Sequence, residues 1–254
     1  MSDMFDLSGK VALVTGGNRG IGRAIALAFA EAGAAVAILG RNEQRNSEAL
    51  AELDGTGTRS MALQVDVSER THLEPAVAEV ERRLGQLDIL VNNAGNGAGA
   101  GVLEVEPDEW DRILATNLTA PLFLTKYAAK SMVQRQSGKI INVASVGGIL
   151  PVASPAYGGS KAALIHVTRC IAKELAPYNV QANAIAPGWV DTAMASRMKA
   201  GPNYPQALAR TPAGRFANAS EIAGAAVYLA SPASSYVTGS VLVVDGGISM
   251  GSVY

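Results

Sequence analysis

The 254 residues are 48% hydrophobic and 17% charged, enough apolar material for one large α/β core, and a net charge of −1 offers no basic field to nucleic acid or an anionic membrane surface. Cys170 is the only cysteine, which excludes an intrachain disulfide and suits a cytoplasmic protein. MSDMFDLSGK lacks the pattern of a signal peptide, and the uncharged run 140–160 is refused as a membrane span by Asn142, Pro151, Pro155 and paired glycines, whose backbone groups lipid would leave unsatisfied.

KVALVT (10–15) reads as the first of several short strands buried on both faces. It runs into TGGNRGIG, where Gly16, Gly20 and Gly22 allow a tight turn and Asn18, Arg19, Gly20 and Ile21 open a helix N-terminus toward a dinucleotide pyrophosphate. The G-x-x-x-G-x-G spacing departs from the usual G-x-G-x-x-G, and a closely packed turn with no ligand remains the alternative. A helix from Arg23 to Ala32 closes at Gly33. The second strand, 34–39, ends at Leu39–Gly40–Arg41 without the carboxylate that an NAD site places on its ribose. Gly40 leaves room there, and Arg41 with Arg19 can reach a 2′-phosphate, so NADP(H) is predicted over NAD(H). NAD(H) stays possible, with Glu43 as a displaced acid or the arginines as solvated surface charges.

The third strand (60–65) is followed by Asp66 and Val67, where Asp66 either accepts from the adenine amino group or caps the next helix. The fourth (87–92) ends in NNAG, placing Asn93, Ala94 and Gly95 along the adenosine side of a cleft or in a plain turn. Asn117 sits in LATNLTAPLFL, where Pro121 lacks the N–H that would bond its carbonyl and leaves that carbonyl free, either for a water on the way to Lys161 or merely solvated at a kink. Strands at 139–144, 180–186 and 240–245 complete a sheet of about seven. Alternation of strand and helix predicts one α/β domain over 1–254, an open parallel sheet with helices on both faces and ligands at the carboxyl ends of the strands. A helix is expected from Asn218–Ser220 with Ile222, Ala226 and Leu229 on one face, after an excursion at about 190–217 rich in glycine and proline, which reads as a lid with at most short helices.

Between these lies NVASVGGILPVASPAYGGSKAAL (142–164), with Ser145, Tyr157 and Lys161. A secondary alcohol loses a hydroxyl proton as hydride leaves, and Tyr157 can take it or return it. Lys161, one turn away, would lower the phenol by roughly two pKa units if its charge lay ~5 Å off in an effective dielectric of ~20. Ser145 would hydrogen-bond the same substrate oxygen.

TGxxxGxG at 15–22, NNAG, Asn117, Ser145, YGGSK at 157–161 and PG at 187–188 together resemble the short-chain dehydrogenase/reductase family over nearly the whole chain. The resemblance implies a single Rossmann-type, doubly wound domain, a nicotinamide cofactor and an Asn117–Ser145–Tyr157–Lys161 catalytic group, with Tyr157 and Lys161 also on the cofactor ribose. Pro187, Gly188, Val190 and Thr192 match positions flanking the nicotinamide. VDGG at 244–247 resembles a segment used in tetramer contacts, so a homotetramer is expected. Gly158 and Gly159 depart from the small residues usual there and weaken the helix start by roughly 1 kcal/mol each; close packing between subunits would account for them.

Ile149, Leu150, Pro151, Val152 and Trp189 form either an apolar substrate wall or core. Residues 192–217 hold Arg197, Lys199, Arg210 and Arg215 and no acid, which favours an anionic small-molecule substrate under a basic lid or merely a solvated face. His72 and His166 have no clustered partners, so no metal is expected. The overall expectation is an NADP(H)-dependent enzyme interconverting secondary alcohol and ketone, with a sugar acid or polyol competing with a ketone or 3-oxoacyl substrate; an NAD-dependent sugar-acid or polyol dehydrogenase and a non-catalytic dinucleotide sensor are the alternatives.

Overall fold

Val-, Ile- and Leu-rich runs form strands here because helices cover both sides of them, so every residue along the run has an apolar place to go. The computed structural model describes residues 3–97 and 99–250, the side chains of Asp3 and Arg197 excepted. Strands β1 (Val11–Thr15), β2 (Ala35–Gly40), β3 (Ser60–Gln64), β4 (Ile89–Asn92), β5 (Gly138–Val143), β6 (Val180–Pro187) and β7 (Val241–Val244) make one seven-stranded parallel sheet in the order β3-β2-β1-β4-β5-β6-β7. The order reverses direction between β1 and β4, which opens a crevice at their carboxyl ends. All seven expected strands are present, within two residues of their expected bounds.

Alternate strand residues feed two cores. Leu13, Leu39, Leu90 and Ile140 pack with α3 (Leu73–Leu84), α5 (Ala120–Gln134) and α6 (Pro155–Leu175), while Val14, Ile38, Val91 and Ile141 pack with α1 (Gly20–Glu31), α2 (Glu43–Asp54) and α9 (Ala219–Ala230). Burial on both faces fails at the two edges: β3 and β7 keep most residues half-exposed, because each has a neighbour on one side only. No helix among the described residues is long and apolar enough to cross a membrane.

Local chemistry sets the helix ends. Asn42 caps α2 by accepting from the Arg45 amide at 2.8 Å, and Asn218 with Glu221 forms a capping box on α9, whose Ile222, Ala226 and Leu229 are buried as the pattern predicts. Helix α1 starts at Gly20, three residues before the expected Arg23, and Ala32 and Gly33 end it. Between α4 (Pro107–Leu114) and α5 the chain widens into a π turn, Ala115–Thr119. Pro121 has no N–H for the Asn117 carbonyl four residues earlier, so the wide turn falls where the ordinary ladder is broken. The excursion carries only two short helices, α7 (Ser196–Ala200) and α8 (Tyr204–Ala209).

The turn after β5 packs directly on α6. A Cβ on Gly148 would stand 2.6 Å from the Lys161 carbonyl carbon and 2.8 Å from the Ala162 nitrogen, both helix backbone that cannot step aside. Gly148→Ala should therefore cost about 2 kcal/mol by overpacking, a fall of roughly 5 °C in melting temperature. Thermal denaturation checks this; a variant melting within a degree of the parent would mean that the turn is free to move.

Candidate active site

Thr15, the last residue of β1, organises the crevice. Its hydroxyl accepts from the Asn93 and Ala94 amides, each at 2.9 Å, and the Asn93 side chain donates to the Thr15 carbonyl at 2.8 Å. The NNAG turn after β4 is thereby tied to the glycine turn after β1. Gly16 and Gly20 have φ of +63° and +53°, which glycine alone adopts without strain. A side chain at Gly22 would collide with the Gly16 carbonyl and the Asn93 amide. The first turn of α1 has no acidic residue and its N-cap, Arg19, makes no side-chain capping bond. A bare helix N-terminus above a glycine cradle fits a pyrophosphate, so the residues present suit a nicotinamide dinucleotide.

Gly40 has a different reason from the room it leaves. A Cβ there would strike the side chains of Asn18 and Asn46, which bond each other at 2.7 Å, while Asn46 also donates to the Gly40 carbonyl at 3.0 Å. Asn46, buried in α2, was not legible as a site residue, because its partners lie far along the chain. Arg41 and Arg19 are exposed beside this pair, and the Arg41 guanidinium stands 3.5 Å from Asp66. Asp66 accepts from the Ser68 amide and hydroxyl at 2.9 and 2.7 Å. Burial pushes its carboxyl up, but these bonds and Arg41 outweigh that and hold it below the usual range. The turn that Asp66 makes precedes α3, with Val67 buried behind it.

Ser145, Tyr157 and Lys161 converge at the carboxyl end of β5. Ser154 caps α6 by accepting from the Tyr157 amide at 3.3 Å and also takes the Gly99 amide at 3.1 Å, which joins the loop after NNAG to the catalytic helix. Asn117 reaches the same loop: its side chain accepts from the Asn96 amide at 2.8 Å, donates to the Asn96 carbonyl at 3.1 Å and donates to Ser160 at 3.1 Å. Ser154, Asn96 and Ser160 were missed in the sequence, where single polar residues carry no spacing signal. A Cβ on Gly95 would lie 3.4 Å from Asn117 Oδ1 and 3.6 Å from Lys161 Nζ, which puts NNAG over both.

One electrostatic expectation is reversed. The Tyr157 phenol is pushed up from its ordinary value by burial, with a hydrogen bond from Ser145 only partly offsetting it. Lys161 points its ammonium at the Val143 carbonyl, 2.8 Å away, and burial draws its own pKa down to about 8. Spacing of i, i+4 shares a helix face but does not fix where a long side chain ends.

The excursion meets the crevice at two glycines: a Cβ at Gly20 would touch Thr192 at 3.3 Å, and one at Gly97 would touch Met194 at 3.0 Å. Gly188 packs on Asp245, and its amide donates to the Val244 carbonyl at 3.0 Å, so Pro187 and Gly188 are held by the VDGG segment. Val190 is buried and pairs with Ala217, closing the base of the excursion. Trp189 is core of the excursion: it stacks on Phe216 at 5.4 Å, with Tyr204 edge-on to Phe216 at 5.3 Å. Ile149 and Val152 are exposed. Two of the excursion's positive charges are paired, Lys199 with Asp191 and Arg215 with Glu221, each at 2.7 Å; Arg210 makes no ion pair among the described residues, and the Arg197 side chain lies outside them. A side chain at Gly158 would meet Val152 at 2.8 Å, so intrachain packing accounts for that glycine, whereas Gly159 faces open space.

Lys161 makes stability depend on pH. Unfolded, it titrates near 10.5; folded, near 8. Between those values the unfolded chain binds the additional proton, so stability from this residue rises with pH and falls as pH drops through about 8. Relative to Lys161→Met, the protein should gain about 2 kcal/mol between about pH 8 and about pH 10. Urea unfolding of the pair at both pH values measures it, and a constant difference would place the ammonium in water.

Comparison with known proteins agrees with this geometry. The family model for enoyl-(acyl carrier protein) reductase matches residues 16–249. Gluconate 5-dehydrogenase of Gluconobacter oxydans is 39% identical over 251 residues, 98% of each chain. The 3-oxoacyl-[acyl-carrier-protein] reductase of Thermotoga maritima is 37% identical over 244 residues, 95% of this chain and 98% of that one. A crystal structure of a gluconate 5-dehydrogenase from Burkholderia cenocepacia in complex with NADP and tartrate superposes with a TM-score of 0.94 at 37% identity, covering 98% of this chain and 99% of the other. With its parallel sheet, glycine turn and Ser145–Tyr157–Lys161 group, the chain belongs to the short-chain dehydrogenase/reductase family of NAD(P)-dependent oxidoreductases that interconvert secondary alcohols and ketones.

Proposed function

We propose that this protein is an NADP(H)-dependent dehydrogenase/reductase acting on a sugar acid, with Tyr157 as general acid/base. The observation that supports the reaction is the hydrogen bond between the Ser145 and Tyr157 side chains, with Lys161 one helical turn on along α6. Bound nicotinamide supplies or accepts the hydride. Tyr157, kept protonated by burial, donates its phenolic proton to the carbonyl oxygen during reduction and recovers it from the alcohol during oxidation. Ser145 donates a hydrogen bond to that same oxygen and stabilises its charge. Lys161 and the Asn117 segment carry the proton onward, with Lys161 also on the cofactor ribose. Gly16, Asn18, Arg19, Gly20 and Ile21 would hold the pyrophosphate side, Asp66, Val67, Asn93, Ala94 and Gly95 the adenosine side, and Pro187, Gly188, Val190 and Thr192 the nicotinamide. Preference for NADP(H) follows from Arg41 and Arg19 standing exposed where β2 ends without a carboxylate, and fits the NADP in the Burkholderia enzyme.

The sugar-acid assignment is supported by the gluconate dehydrogenases among the relatives. A second reading, reduction of a 3-oxoacyl chain, is favoured by the exposed apolar side chains of Ile149, Val152, Met194 and Leu103 after β4, β5 and β6. The same proposal takes residues 1–254 as one catalytic domain with a lid at about 190–217, in a cytoplasmic homotetramer; exposed and unbridged Cys170 suits a reducing compartment, and half-exposed β7 suits a subunit contact.

A spectrophotometric panel of gluconate, 5-keto-D-gluconate, polyols and 3-oxo esters with both cofactors tests the reading. Turnover of 3-oxo esters alone would replace the sugar acid; no turnover at all would remove the enzyme assignment. Tyr157→Phe should leave NADPH binding nearly intact and abolish turnover, and a variant keeping a tenth of the parent rate would take Tyr157 out of the acid/base role. Arg41→Ala should raise KM for NADPH about tenfold, the loss of one charge-assisted hydrogen bond, and leave NADH unaffected. Equal effects on both cofactors would dismiss the 2′-phosphate contact.

A further inference from the structure

Beneath the reacting groups lies a chain of buried polar side chains to which the mechanism above gives no part. Asn92 and Asn142 face each other across β4 and β5, and the Asn92 amide donates to Asn142 Oδ1 at 2.8 Å. Asn142 Nδ2 donates to the Thr168 hydroxyl at 2.8 Å, and that hydroxyl donates to the Leu164 carbonyl on its own helix at 2.7 Å. All three side chains are almost wholly buried. The Asn92 amide also lies 3.4 Å from the Pro121 carbonyl and from Thr125 on α5, just past the π turn that presents Asn117.

The direction of this chain is forced. Leu164 offers only a carbonyl, so Thr168 donates to it and must accept from Asn142, which in turn accepts from Asn92. Asn92 Oδ1 is left as a buried oxygen with no donor among the described residues. A polar chain with an orphaned end stabilises a core less than apolar side chains of the same volume would. What it supplies is a fixed spacing.

That spacing bears on Lys161. Lys161, Leu164 and Thr168 stand on one face of α6, at i, i+3 and i+7. Successive residues of β5 grip that face twice: the Asn142 side chain holds Thr168, and the Val143 carbonyl holds the Lys161 ammonium. The same chain reaches α5 through Asn92. We infer that Asn92, Asn142 and Thr168 are positioning residues that fix α6 against β5 and α5 and thereby hold the Lys161 ammonium beside Asn117 and Tyr157. This rests on the proposed role of Lys161, but its test needs no substrate.

Thr168→Val keeps the shape and removes the hydroxyl; Thr168→Ser keeps the hydroxyl. Native protein is labelled briefly with acetic anhydride and the modified lysines are quantified by mass spectrometry. Lys139, whose ammonium bonds Ser234 at 3.1 Å and which starts the same strand at its far end, is the internal control. Thr168→Val should raise Lys161 labelling about tenfold with Lys139 within twofold, and Thr168→Ser should match the parent. On 5-keto-D-gluconate, kcat should fall about tenfold for Thr168→Val while KM stays within twofold. Labelling of Lys161 and Lys139 that rises together, or a Lys161 signal that does not move, overturns the proposal, since a general loss of stability exposes both and a bystander network exposes neither. Thr168→Ala carries the same comparison if the valine variant does not fold. A parent enzyme without turnover would fault the proposed function and leave the labelling result to decide this inference.

Discussion

An ammonium held inside the protein by a single strand-end carbonyl is the constraint around which this site is built. Lys161 is 5% exposed, and its bond to the Val143 carbonyl takes the place of water. Burial disfavours the charged form, which is why its pKa falls to about 8. A cation in that position dictates its surroundings. Gly95 passes directly over the pair: a Cβ there would lie in ordinary van der Waals contact with Asn117 Oδ1 at 3.4 Å and with the ammonium at 3.6 Å. The Asn117 side chain is consumed in bracing Asn96 and Ser160. The turn after β5 must bring Ser145 back over α6, which requires a glycine at 148 against the Lys161 backbone.

Tyr157 shows how burial and charge divide the work. An ammonium aimed at a carbonyl contributes little to the acidity of a phenol one turn away, and burial dominates instead. The resting phenol is therefore an acid, the form that carbonyl reduction consumes. Acting as a base in the oxidising direction demands a further positive charge at the site, and oxidised nicotinamide carries one. The two directions of the reaction thus place unequal demands on the same residue, and the protein alone satisfies the reducing one.

The sheet was legible because parallel strands covered on both sides are written as continuous apolar runs, and six-residue runs such as KVALVT leave little choice. Edge strands β3 and β7 carry the same kind of run while exposing part of it, so their exposure could not be read from sequence. Candidate site residues stood out through spacing: TGxxxGxG, YGGSK and the Asn117–Pro121 pair each state a local geometry. Their supports did not. Asn46 explains Gly40, Thr15 ties NNAG to β1, and Ser154 joins the loop at Gly99 to α6, each across a separation that local spacing does not encode. Trp189 was ambiguous for the same reason, since only its stacking on Phe216 assigns it to the lid's own core.

Charge in the lid illustrates a limit of counting within a window. Residues 192–217 hold only basic groups, yet Asp191 and Glu221 stand just outside and neutralise Lys199 and Arg215. Those pairs are exposed, so each adds little stability, but they decide what field an incoming substrate meets. The lid itself is a packed unit, with Trp189, Tyr204 and Phe216 at its centre and Thr192 and Met194 resting on Gly20 and Gly97. Those two rests tie the excursion to the glycine turn after β1 and to the loop after NNAG, so two separate turns fix where it lies.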